Sequence, residues 1–115
     1  MYDPTFQRFS SAYDQVELRV EPGDVSTPLI SQPFIEDLRY WTANLDDFNP
    51  ASPVFVRTPE MDGHLRAECT RDVPVETIRL PEPVLRELGI HQAPTNTRFW
   101  VARPGHAEQL ERFYV

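Results

Sequence analysis

The sequence predicts an α+β fold, mainly β: a small sheet or barrel of short, proline-broken strands, with one longer helix over about 32–45 and one short helix over about 82–88. Three observations predict it. Twelve prolines, most of them clustered at 22–33, 50–59 and 74–83, stand against only four glycines in 115 residues. Proline is barred from helix interiors and central strands, so these clusters cut the chain into short elements. Several segments alternate apolar and polar residues, and only two show a clear helical period without competing readings. The length fits a single domain, 1–115, able to bury roughly two thirds of its unfolded surface.

The elements follow in order. Tyr2, Phe6, Phe9 and Tyr13 are spaced for one helical face or for an extended aromatic arm, so 1–14 is read as an N-terminal arm. Val16, Leu18 and Val20 alternate with Glu17, Arg19 and Glu21, the signature of a half-buried strand, which Pro22-Gly23-Asp24 ends. Ser31 is placed to cap the longer helix, with Pro33 in its first turn. Phe34, Leu38 and Trp41 form its stripe, joined by Ile35 and Leu45. Val54-Phe55-Val56, residues 65–69 and residues 73–80 read as short strands. Val84, Leu85, Leu88 and Ile90 mark the short helix, with Gly89 at the position just past its end. Residues 98–103 form another strand, and Pro104-Gly105 turns the chain. The last segment, 110–115, fits a strand, or a helix with Ala107, Leu110 and Phe113 on one face. The expected core is Val16, Leu18, Val20, Phe34, Leu38, Trp41, Phe55, Ile78, Leu80, Leu85, Leu88 and Val101. No internal repeat is visible.

Strand, proline-started helix, glycine stop and strand over 77–103 form a unit that leaves sheet edges open. Such a unit is expected to close on a second copy. Through Ile78-Arg79-Leu80-Pro81, Val84-Leu85, Leu88-Gly89-Ile90 and the two apolar runs that follow, residues 77–115 resemble the SpoVT/AbrB-type swapped-hairpin domain. That resemblance implies a homodimeric DNA-binding regulator or antitoxin, with Arg79, Arg86, Arg98 and Arg103 as DNA contacts. The chain departs from the family at Pro74-Val75-Glu76 and at His91-Gln92-Ala93-Pro94, where a Pro-Gly-Asp-like turn is usual.

Charge narrows the choice of partner. All eleven basic residues are arginine, set against eighteen acids, for a net charge of −7. Residues 1–72 hold thirteen acids and six arginines, and residues 73–115 hold five of each. An acidic surface repels phosphate backbones and anionic lipid. With no lysine there is no Schiff base and no P-loop lysine. Arginine without lysine is what GC-rich coding favours, and acid-rich surfaces suit high salt. The neutral C-terminal third is the expected partner side.

Catalytic and metal chemistry find no pattern. On a strand, His64, Arg66 and Glu68 share one face, and Leu65, Ala67 and Cys69 share the other, so His64 and Cys69 do not meet. His64 is expected to be solvated and Cys69 buried. A single cysteine excludes an internal disulfide. Asp46, Asp47 and Asn49 lack the glycine and alternating acids of a calcium loop and read as turn residues. Trp41 and Trp100 read as core rather than as base-stacking platforms. We therefore expect no enzyme, no cofactor and no metal site. The expectation is an interaction protein acting on itself or another protein, such as a virion or other multi-copy subunit, through Phe6, Phe9, Phe113, Tyr114 and Val115. No leader or membrane-spanning stretch is evident, which places it in the cytoplasm or in a particle assembled there.

Overall fold

The alternating segment at the start of the chain becomes the longest strand of the computed structural model, which describes residues 12–43 and 48–114, the side chain of Tyr114 excepted. Strand β1 (Tyr13–Pro22) is followed by β2 (Leu29–Ser31), helix α1 (Gln32–Ala43), β3 (Val54–Arg57), β4 (Leu65–Thr70), β5 (Thr77–Leu80), helix α2 (Glu82–Glu87), β6 (Thr95–Ala102) and helix α3 (Pro104–Tyr114). Six strands close into a barrel in the order β1-β5-β2-β4-β3-β6. The fold is therefore α+β and mainly strands. Closure removes the free edges expected at 77–103: β5 lies between β1 and β2, and β6 lies between β1 and β3. Every ladder that a second copy was expected to supply is filled from within the chain.

The strand order carries a two-fold that the sequence does not advertise. Exchanging β1 with β4, β2 with β5 and β3 with β6 maps the ring onto itself. Parallel β1–β5 exchanges with parallel β2–β4, and antiparallel β1–β6 with antiparallel β3–β4. Each half is strand, strand, helix, strand, with α1 in one and α2 in the other. Helix α3 stands outside this plan.

The barrel interior is apolar. Leu18, Val20, Ile30, Val54, Val56, Ala67, Ile78, Leu80, Phe99 and Val101 are all buried in it, and Ile35 of α1 and Leu85 of α2 plug it from the helices. Each large side chain so buried contributes about 1.5–3 kcal/mol before entropy is counted. Val16, Phe34, Leu38 and Leu88, expected in the core, are half-buried against this cluster. Phe55 is buried, but on the outer face: it packs with Tyr13, Ala102 and Leu110 beneath α3.

Helix termini follow the local chemistry. The Phe34 amide donates to Ser31 Oγ at 3.4 Å, as the capping reading requires. At the end of α2 the Ile90 amide donates to the Leu85 carbonyl and the Gly89 amide to the Arg86 carbonyl. Gly89 has φ of +70°, the left-handed conformation that this double-bonded stop demands. Gly23 has a different reason. A Cβ there would lie 2.4 Å from Arg79 Cγ, so the glycine lets that side chain cross the turn.

Several expectations are corrected. Tyr13 and Asp14 are the first residues of β1, not part of an arm. Residues 73–76 are a turn, with Glu76 at φ of +60° and Val75 exposed, so the strand begins only at Thr77. Thr77, at its start, is buried. Pro104-Gly105 opens a helix instead of a turn, because proline's fixed φ suits a first helical position. The last segment is accordingly helical. Strand β2, only three residues long, was not foreseen.

Trp41 is the largest correction, being 80% exposed rather than core. Ile35 and Arg39 define the buried line of α1. Trp41 lies seven residues after Phe34 and so on the same flank, about 10 Å further along the axis. Phe34 meets the core at the helix start, and Trp41 does not.

Candidate functional site

Two kinds of feature stand out: aromatic rings left on the surface, and polar groups drawn into the protein. The rings are on the two longer helices. Trp41 and Tyr40 sit near the end of α1, their rings edge to face with centroids 5.3 Å apart. Tyr40 is 51% exposed, and Phe113 on α3 is 86% exposed. Of the interface residues read from sequence, Phe113 is the one whose side chain is described. Phe6, Phe9 and Val115 lie outside the described residues, as does the side chain of Tyr114.

A histidine–tyrosine bridge fastens α3 to the barrel. Tyr13 and Ala102 pair across β1 and β6 on the outer face, under Ala107 and Leu110 of the helix. The Tyr13 hydroxyl lies 2.7 Å from His64 Nε2 and 2.9 Å from His106 Nε2. A phenol has one proton, so it donates to one ring and accepts from the other. His64 stacks nearly parallel to Tyr13 at 5.9 Å, and Arg57 sits over the Trp100 ring at 5.6 Å. Burial, then Arg57, then His106 push the His64 pKa down to about 4, so this imidazole is neutral at pH 7. The expectation of a solvated His64 on a strand face is therefore corrected: the residue lies just before β4 and is half-buried against Tyr13.

On the inner side of the same strand, Asp14 is buried at the barrel mouth. Arg103 Nε donates to its Oδ1 at 3.0 Å and Thr42 Oγ1 to its Oδ2 at 2.9 Å. Arg39 is also buried, its cationic form disfavoured mainly by desolvation and favoured by the charge of Asp14. Burial pushes the Cys69 thiol up to about 11, partly countered by Arg39. Such a thiol is protonated and a poor nucleophile.

The four arginines expected as DNA contacts have different surroundings. Arg79 pairs with Glu21 at 3.4 Å and Arg103 with Asp14, while Arg86 and Arg98 are exposed. Asn49 acts within its own turn, accepting from the Ala51 amide, while Asp46 and Asp47 lie outside the described residues. Among the described residues no three of His, Cys, Asp and Glu gather closely enough to hold a metal, and no helix is long and apolar enough to cross a membrane.

Comparison with known proteins places the whole chain. It belongs to the DUF5802 family, a family of unknown function. The match runs over residues 5–115. Among solved structures the chain is similar to the computationally designed msDPBB_sym2 protein, with a TM-score of 0.49 and 16% identity over 78% of this chain and 99% of that one. It is similar also to the rationally designed mkDPBB_sym1 protein, with a TM-score of 0.49 and 18% identity over the same shares. No curated protein matches it.

Sequence reasoning missed the Tyr13–His64–His106 bridge and the buried Arg39. The bridge joins positions 51 and 93 residues apart, and nothing local marks them as partners. Arg39 occupies the i+4 position from Ile35, so the helical period alone marked it as inward-facing.

Proposed function

We propose that this DUF5802 chain is a non-enzymatic interaction subunit that associates with a second copy of itself through the aromatic surfaces of α1 and α3. The observation that carries the reading is Trp41, which leaves four fifths of its surface in water on a helix otherwise built to pack. Tryptophan and tyrosine are the side chains that most often dominate protein–protein affinity. The closed barrel favours the same mode, because strand addition has no edge to use and side chains must supply the contact. The titratable groups sit in supporting roles: His64 is neutral and bonded to Tyr13, and the Cys69 thiol is held protonated.

A net charge of −7 repels like subunits, so association strengthens as salt screens it. Sedimentation equilibrium at low and high salt tests this. The wild type should gain mass at high salt, and Trp41→Ser should weaken self-association at least tenfold while leaving the circular dichroism unchanged. Equal association of wild type and variant would refute the assignment of the interface.

A further inference from the structure

A second surface feature is independent of the aromatic faces: a cleft of about 250 Å³ between α1, the loop at 48–53 and α3. Arg39 lines it, and this guanidinium is only 5% exposed. Its Nη1 is fully buried and meets no hydrogen-bond acceptor among the described residues. Asp14, the carboxylate whose charge favours it, already accepts from Arg103 Nε at 3.0 Å, and its other oxygen lies 2.9 Å from Thr42 Oγ1. A buried cation with no contacting anion is costly, and its open donors fit a carboxylate. The remaining lining divides in two. Phe48, Pro53, Pro104 and Ala107 are apolar, whereas Glu108 and Glu111 bring negative charge. Glu111 is only loosely engaged, 4.0 Å from Arg66.

One cation, an apolar wall and two carboxylates select a ligand with complementary parts. We infer that the cleft binds a small zwitterion of the amino-acid class: its carboxylate on Arg39, its apolar body against Phe48, Pro53, Pro104 and Ala107, and its ammonium toward Glu108 and Glu111. A simple inorganic anion would meet the same arginine but be repelled by the two glutamates. A simple amine would leave Arg39 without an anion.

Calorimetric titration of the full chain with leucine and with 6-aminohexanoate tests the assignment, the two probes differing in the distance between their charges. At least one should bind with Kd below about 1 mM, a range ordinary for small ligands held by a few polar contacts. Comparison ligands are 4-methylpentanoate, which lacks the ammonium of leucine, and 3-methylbutylamine, which lacks its carboxylate. The acid should bind at least fivefold more weakly than leucine, and the amine should not bind. Arg39→Met should abolish binding. Because that variant touches a buried position, Glu108→Gln, at an exposed site, serves beside it. It should weaken the zwitterion at least threefold and strengthen binding of 4-methylpentanoate, whose carboxylate the Glu108 charge repels. Failure of both zwitterions to bind at 10 mM, or binding of the amine as tight as that of leucine, would overturn the inference.

Discussion

Acidification should loosen this fold through His64, and the size of the effect follows from the structure. In the folded chain the imidazole is held at about 4, against an ordinary value of 6.5. Between these values the unfolded chain binds the proton and the folded chain does not. Stability from this group is therefore complete above about pH 6.5 and is lost as pH falls through the window toward 4. For the full displacement, linkage removes about 2 kcal/mol between pH 7 and pH 5. His64 is only half-buried, so screening by water reduces the expected loss to about 1 kcal/mol. Arg57 and then His106, which face it, already contribute to this displacement after burial. The perturbation is His64→Gln, which keeps a polar group beside Tyr13 but cannot titrate. Urea unfolding followed by tryptophan fluorescence at pH 7 and pH 5 gives the two differences. The wild type should lose about 1 kcal/mol more than the variant over that interval. Equal losses would show that His64 is not held neutral by its place between Tyr13, Arg57 and the helix.

Three further outcomes follow from single contacts. Gly89→Ala should lower stability by about 1 kcal/mol in urea unfolding, since its φ of +70° disfavours a side chain although nothing within 4 Å would touch one. An unchanged midpoint would refute the left-handed stop. Asp14→Ala strands the partly buried Arg103 and removes the charge that favours buried Arg39, and should cost about 2 kcal/mol, read as a fall in Tm; a cost below about 0.5 kcal/mol would contradict the network. Cys69, held at about 11 rather than 9, should react with a disulfide reagent at pH 8 about 100-fold more slowly in the native chain than in urea, and comparable rates would contradict its burial.

Legibility in the sequence tracked how local each signal is. Val16, Leu18 and Val20 announced β1 because alternation is written in adjacent residues. Gly89 announced the end of α2 for the same reason. Strand β2 was illegible: three residues after Pro28 carry no period, and only their neighbours, Cys69 and Ile78, make Ile30 a core residue. Barrel closure was illegible too, since pairing Arg19 with Thr77 depends on contacts far along the chain. That is why 77–103 was expected to seek a second copy for its edges. Helical period placed Trp41 on a stripe with Phe34 and Leu38, but period gives an angle around the axis and not how far the underlying core extends. The same blindness applied to His64, read as a solvated strand residue: it lies just before β4, and its partner Tyr13 is 51 residues away. Of the interface residues expected near the C-terminus, Phe113 alone has a described side chain, and it is exposed.

The central claim is self-association through surface aromatics, and the molar mass of the unaltered chain in solution tests it most directly. Light scattering across the micromolar range, at low salt and at about 1 M salt, should show a mass rising above one chain, the more so at high salt. A mass that stays at 13.4 kDa under every condition would contradict the account.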